Sequence, residues 1–316
     1  MARKSFLTAF LAGILLLFFL SILYLSLGEQ NIFLTELSKS KIVLDLRLPR
    51  LLSLYLAGFL LSVSGFLVQT MTRNPIAEMS TLGISGGASL ALSLLLTLGL
   101  STNSMISCVV ATFGAFVALL LVMLLTARAH FQPLKVVLVG TSVGLFATSL
   151  ASSLTFASHN TQSYFLWIVG SFSGITLEKL EILALAALVF LVLLLIFASQ
   201  IRLLAFGEEM ATGLGVSVSR VRFIIMIMVA IASGVTVASV GVISFVGLIA
   251  PQIAKRFTRT NFWQSLMLSS LLGMLLLVIA DLLARNLFKP YEFPAGSLTM
   301  LLGAPFFLWI IAKEAK

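Results

Sequence analysis

Apolar residues in this chain come in blocks of roughly twenty, separated by short clusters of Arg, Lys, Asn, Pro and Gly. At about 1.5 Å of rise per residue, a helix of that length crosses a hydrocarbon core of about 30 Å. Ten spans are predicted, over about 5–27, 51–70, 82–100, 105–127, 134–157, 180–200, 223–240, 242–256, 263–283 and 295–312. Runs such as Ile182 to Ala198 are apolar on every helical face. The strands of a membrane barrel would instead alternate over about ten residues, so the predicted spans are helices. The first block follows Met1-Ala2-Arg3-Lys4 and is longer than a signal-peptide core of about 7–15 residues. With no small-residue cleavage site behind it, it reads as an uncleaved span. The block at 242–256 is short and contains Gly247 and Pro251. That pattern suits a broken or re-entrant helix, tolerated where its freed backbone groups are buried in protein or line a wet cavity.

The composition agrees: of 316 residues, 60% are hydrophobic and 10% charged, against about 45–50% and about 25% in soluble domains. An ordinary soluble fold is excluded. The net charge of +9 arises from 20 Lys+Arg and 11 Asp+Glu. In a soluble chain that surplus would point to nucleic acid; here it reads as topology, because cytoplasmic loops of membrane proteins collect basic residues. With the N-terminus inside, the inner segments hold Arg3, Lys4, Arg73, Arg128, Lys135, Arg202, Arg220, Arg222, Lys255, Arg256, Arg259, Lys313 and Lys316. Only Lys39, Lys41, Arg47, Arg50, Lys179, Arg285 and Lys289 fall outside. The bias places both termini in the cytoplasm. Cys108 has no second cysteine to pair with, and His130 and His159 are too few for a metal site.

Chemistry is mostly absent. No Gly-Lys dipeptide occurs, which removes the G-x-x-x-x-G-K-[ST] phosphate loop, and no H-E-x-x-H appears. Gly83-Ile84-Ser85-Gly86 resembles the surroundings of a serine nucleophile, but such a serine needs a base and neither histidine lies inside a predicted span. Small residues that let a helix start pack closely explain the string better. Asp281 is the main ionisable residue within a span, near its outer end. Proton-coupled carriers usually carry such groups as relays, so a transporter of this composition takes its energy from another subunit. A carrier coupled to Na⁺ through backbone carbonyls stays open.

Two segments suggest docking. Arg47-Leu48-Pro49-Arg50 precedes the second span, where the guanidinium groups either snorkel to lipid phosphates or receive external carboxylates in bidentate pairs. The longest inner loop, 201–222, reads as two short helical pieces broken at Gly213 and Gly215. Leu203, Leu204, Phe206, Met210, Leu214 and Val216 make it more apolar than a solvated connector needs. Either its own bundle or a partner protein covers them.

The chain also resembles a known family. The strings Arg47-Leu48-Pro49-Arg50, Arg73-Asn74-Pro75-Ile76-Ala77-Glu78, Leu82-Gly83-Ile84-Ser85-Gly86-Gly87, Gly207-Glu208-Glu209 to Leu214-Gly215-Val216, Gly241-Val242-Ile243-Ser244-Phe245-Val246-Gly247, Ala280-Asp281-Leu282-Leu283-Ala284-Arg285 and Phe293-Pro294-Ala295-Gly296 are similar to those of the FecCD type of ABC-importer permease. The similarity runs from about residue 42 to the C-terminus. It implies an all-α polytopic permease domain over 1–316, with ten helices and two inverted helix sets near spans two to five and seven to ten, the type II importer fold. It also implies a second permease subunit (a homodimer or a sister chain), two cytoplasmic ATPases that use ATP and Mg, an extracytoplasmic substrate-binding protein, no nucleic-acid partner, and a bacterial cytoplasmic membrane location. The chain itself would hold no cofactor or metal and would not be an enzyme. By the same resemblance Arg47, Arg50 and Arg285 dock the binding protein, and Glu208, Glu209, Met210, Ala211, Gly213, Leu214 and Gly215 couple to the ATPase. Gln132 and Pro133 fall at the inner gate. One departure stands out, because relatives usually have Pro-His where this chain has Pro251-Gln252. The expected cargo is a ferric siderophore, with haem and cobalamin as alternatives, and a self-sufficient secondary carrier is the alternative of another class.

Overall fold

The computed structural model describes residues 2–28, 32–33, 40–100, 103–127, 132–258, 261–287 and 291–314. Of the basic residues assigned to loops, Lys39, Arg128, Arg259, Lys289 and Lys316 lie outside the described residues, as do His130 and the side chains of Arg3, Lys4 and Lys313. Among the described residues the fold is all helix: α1 (Ala2–Ser26), α2 (Leu48–Thr72), α3 (Ile84–Thr97), α4 (Ser104–Ala127), α5 (Pro133–Ala157), α6 (Thr161–Val169), α7 (Leu177–Phe206), α8 (Glu208–Gly213), α9 (Val218–Val240), α10 (Val246–Thr258), α11 (Phe262–Leu287) and α12 (Ala295–Glu314). Seven of these helices are long and apolar enough to cross a membrane, and two shorter apolar helices begin at Ile84 and Ala295.

Burial sorts the helices. α7 is strongly apolar yet only 33% of its apolar window is buried, whereas α2 and α9 are each 78% buried. In a bilayer the first pattern faces lipid and the second forms the centre of the bundle. Packing around that centre is reciprocal. α2 lies against α10 and α11, while α9 lies against α3 and α4. The leading helix of each half therefore packs on the second and third helices of the other, as an inverted repeat requires.

Close approach depends on missing side chains. A Cβ on Gly65 of α2 would sit 1.9 Å from the carbonyl oxygen of Gly247 in α10, and one on Gly58 would sit 2.7 Å from the Cα of Met274 in α11. Without a hydrophobic drive between helices in lipid, such backbone contact is what holds them together.

The stretch at 242–256 is not broken at Gly247 or Pro251, which both lie within continuous α10; the irregular segment precedes them. α9 stops at Gly241 (φ 83°), residues 241–245 are not helical, and α10 starts only at Val246 after Phe245 at φ 68°. The backbone groups at this joint are paired inside the protein: Val242 N–H donates to the Trp167 carbonyl at 2.7 Å and Ser171 N–H to that of Val240 at 2.7 Å. Phe245 N–H donates to the Glu78 carboxylate at 2.9 Å. Helix α6 and the turn after it, which hydropathy assigns to no span, supply two of these partners.

Helix formation also begins earlier than hydropathy places the second span. A π-helical turn, Val43–Arg47, feeds α2, whose second residue is Pro49. Pro49 brings no N–H to the ladder and directly follows the widened π-helical turn, so Arg47 and Arg50 ride on helix rather than on a preceding loop.

Replacing Gly65 by Ala forces α2 and α10 apart, and overpacking of this kind costs about 1–3 kcal/mol. Thermal unfolding of the purified variant should show a clear fall in midpoint; an unchanged midpoint would contradict the contact.

Candidate functional site

Four chain segments meet at one end of the bundle. Asp281, near the C-terminal end of α11, is fully buried. Arg50 clamps it bidentately, with Nε donating to Oδ2 at 3.0 Å and Nη2 to Oδ1 at 2.8 Å. The Tyr24 hydroxyl of α1 donates to Oδ2 at 2.6 Å. The remaining Arg50 nitrogen, Nη1, reaches Glu292 at 2.9 Å. A buried carboxylate calls for such pairing, and the planar guanidinium suits it better than an ammonium would.

Arg47 and Arg285 complete the cluster. Arg47 Nη1 donates to the carbonyls of Leu25 and Ser26 at 2.6 and 3.2 Å, at the end of α1 where those groups lack helical partners. The Arg285 guanidinium lies over the Tyr24 ring, 4.8 Å from its centroid. Its Nη1 is buried with no hydrogen-bond partner among the described residues. Together Arg47, Arg50, Arg285 and Glu292 line a pocket of about 370 Å³, walled also by Ile42 and Phe172. The structure thus brings the three expected arginines together, but not equivalently: Arg50 is already committed to two carboxylates, and Arg285 keeps an unsatisfied donor. Tyr24 and Glu292 escaped sequence reading. An acid inside a span was visible at Asp281, and such a group calls for a partner, but nothing local pointed to α1.

The opposite end carries the predicted coupling segment. α8 begins after Gly207 (φ 130°) and ends before Gly215 (φ 79°), conformations that favour glycine. Ala211 is buried against the bundle, and Glu208 pairs with Arg222. Glu209, Gly213 and Gly215 are exposed. Phe206, Met210 and Leu214, spaced four apart, are 59%, 54% and 62% exposed. Met210 and Leu214, one helical turn apart on α8 and its C-terminal cap, share an outward face, while Phe206 is exposed at the end of α7 before the Gly207 break. Of the proposed gate, Gln132 is exposed and caps the start of α5, and Pro133 opens that helix; residues 128–131 lie outside the described residues.

Other singled-out residues find plainer roles. Ser85 lines a pocket with Ser80, Ser89, Thr141 and Thr148, and among the described residues no acidic or basic side chain lines it to serve the serine as a base. Gln252 donates to the Pro75 carbonyl, joining α10 to the segment after α2. Glu78, in that segment, accepts from the Ser80 hydroxyl as well as from Phe245 N–H. Burial pushes its carboxyl above the usual carboxylate range.

Asp281→Ala should destabilise the protein by about 3–5 kcal/mol, because it strands the Arg50 guanidinium in a buried site. Tyr24→Phe removes one hydrogen bond and should cost about 1 kcal/mol. Thermal unfolding of the two variants side by side tests this ranking, and equal small shifts would contradict the buried pair.

The comparisons with known proteins agree with this geometry. Residues 8–313 match the FecCD transport family. The iron(3+)-hydroxamate import system permease protein FhuB of Bacillus subtilis is 33% identical over 97% of this chain and 83% of its own length. The Fe(3+) dicitrate transport system permease protein FecD of Escherichia coli is 37% identical over 86% of this chain and 85% of its own. A solved structure, described as an inward-facing conformation of a metal-chelate type ABC transporter, superposes with a TM-score of 0.84 at 26% identity, over 98% of this chain and 99% of the other. The chain belongs to the FecCD transport family and is a multi-pass membrane permease of an ABC importer.

Proposed function

We propose that this permease carries a ferric siderophore into the cytoplasm, receiving it from an external binding protein and driven by ATPase subunits that use ATP and Mg. The observation that carries the reading is the pairing, in one bundle, of a cationic pocket at one end with an exposed apolar helix at the other. The pocket holds three arginines against Glu292, and Arg285 is the least buried of the three. Acidic side chains of a binding protein suit that excess of cations, with Arg285 as the receiving group and the buried Arg47 and Arg50 behind it. At the far end, Met210 and Leu214 offer the apolar contact, with Glu209, Gly213 and Gly215 beside them and Ala211 and Glu208 fixing α8 to the bundle. Gln132 and Pro133, at the start of α5, stand at the inner gate. The chain contributes the passage, beside a second permease subunit, and holds no cofactor of its own. Relatives named for ferric hydroxamate and ferric dicitrate support an iron chelate as cargo.

Reversing the charge at Arg285 (Arg285→Glu) should weaken binding-protein docking by at least about tenfold at low ionic strength, an effect that fades as salt screens the contact. Surface plasmon resonance across a salt series reads this; unchanged affinity at low salt would remove Arg285 from the docking role. The double variant Met210→Asp, Leu214→Asp places two charges on an exposed stripe, and should abolish co-purification of the ATPase while leaving the thermal midpoint of the permease unaltered. Retained co-purification would contradict the coupling role. For the cargo, fluorescence quenching of the cognate binding protein should be saturable with a ferric hydroxamate or catecholate. Quenching by haem or cobalamin alone would reassign it.

A further inference from the structure

A second pocket, of about 400 Å³, opens at the end of the bundle that the charge bias places inside. Its floor is the last two turns of α2, and its walls come from the end of α7 and the start of α11, both of which pack on α2. Phe66, Phe206 and Phe262 make it apolar, Arg73 and Lys255 make it cationic, and Gln69, Thr70 and Ser265 add neutral polar groups. Among the described residues no acidic side chain lines it.

The lysine is poorly compensated. Lys255 Nζ donates to the amide oxygen of Gln69 at 2.8 Å and sits 5.7 Å from the Phe66 ring centroid, and those are its polar contacts among the described residues. The Gln69 amide nitrogen is itself turned to the Gly247 carbonyl at 3.4 Å. An ammonium has three donors, so its neutral partner leaves charge and donors directed at the pocket. Arg73 closes α2 at φ 50° with an exposed side chain that extends towards Gly207. Cations at helix C-termini complement the helix dipole, but that alone does not explain why two of them flank three phenylalanines in a cleft floored by a central helix. A solvated cation has no use for the aromatic floor, and an apolar side chain of a neighbour has none for the cations.

We infer that this cleft binds an anionic phospholipid of the inner leaflet, its phosphate between Arg73 and Lys255 and the start of its acyl chains on Phe66, Phe206 and Phe262. Charge favours this occupant: the pocket lies among the ends of α2 and α7 and the start of α11, on the side the charge bias places inside, and basic pockets between transmembrane helices on the cytoplasmic side suit anionic headgroups. A zwitterionic headgroup would bring its own ammonium against two cations. The site also adjoins the coupling segment, since Phe206 is the last residue of α7 before Gly207 and α8. A bound lipid would therefore brace the root of α8 as well as the end of α2.

Native mass spectrometry of the purified full chain tests the inference, with dioleoylphosphatidylglycerol, dioleoylphosphatidylcholine and inorganic phosphate as the three probes. Each cation near an anionic headgroup is worth about fivefold, the equivalent of about 1 kcal/mol. Phosphatidylglycerol should be retained over phosphatidylcholine, and Arg73→Gln, an exposed substitution, should lower its retention about fivefold. The double variant Arg73→Gln, Lys255→Gln should lower it about 25-fold, and Lys255→Arg should preserve it. Equal retention of the two lipids, or retention unchanged in both Gln variants, would overturn the site. Competition by inorganic phosphate alone would make it a free-anion site and overturn the lipid assignment. Loss of ATPase binding in the double variant with lipid retention intact would give the pocket to the ATPase instead.

Discussion

Inside a bilayer, a backbone N–H or carbonyl that leaves a helix must find a partner in the protein, and this requirement organises the whole molecule. The chain between α9 and α10 breaks from helix for five residues, 241–245. Its freed groups are met by Trp167, Ser171 and Glu78, from the region of α6 and from the segment between α2 and α3. One irregular joint therefore locks together three distant parts of the sequence. It also lets α10 start beside α2 at a Gly65 to Gly247 contact too close for any side chain. Both end sites hang on this arrangement, because Gln69 and Lys255 meet only if α10 is so placed, and α2 carries Arg47 and Arg50 at its other end.

Electrostatics then separates the two ends. At the outer end the charges are mostly spent internally: Asp281, Arg50 and Tyr24 form a buried network that Arg50 extends to the exposed Glu292. A buried ion pair of this sort is weak evidence for stability, since desolvation offsets much of its attraction. What it does here is tie α1, α2, α11 and the segment before α12 into one rigid rim, against which Arg285 is held over the Tyr24 ring with a donor to spare. At the inner end, charge and apolar surface are left unmatched, on the Met210 and Leu214 face of α8 and in the cleft of Phe206, Lys255 and Arg73. Unmatched groups at both ends of an otherwise satisfied bundle are what a subunit that works through partners would show.

Much of this was legible in the sequence. Each of the ten apolar blocks contains a helix, but Gly247 and Pro251 lie within unbroken α10, and the irregular joint falls before them at 241–245. The helical break at Gly213 and Gly215 was plain, because glycine placement carries its own conformational meaning. The convergence of Arg47, Arg50 and Arg285 was expected from family resemblance, but their unequal states were not. Which arginine is spent and which is available depends on Tyr24 and Glu292, separated from Arg50 by long stretches of chain, and no local pattern encodes such a meeting. For the same reason α6 read only as loop: it is nine residues long and its value lies in the carbonyl of Trp167, a backbone group that any residue would supply. The Gln69 to Lys255 bond crosses from α2 to α10, and so the inner cleft also emerges only from the fold.

The central claim is that this chain is a passage worked from its two ends by separate proteins. The most direct measurement is uptake of a radiolabelled ferric siderophore into proteoliposomes containing the chain with its permease partner and ATPase, in the presence of the loaded binding protein. Accumulation should require both ATP and the binding protein and should be indifferent to an imposed H⁺ or Na⁺ gradient. Accumulation driven by such a gradient, with the chain alone and without ATP, would contradict it.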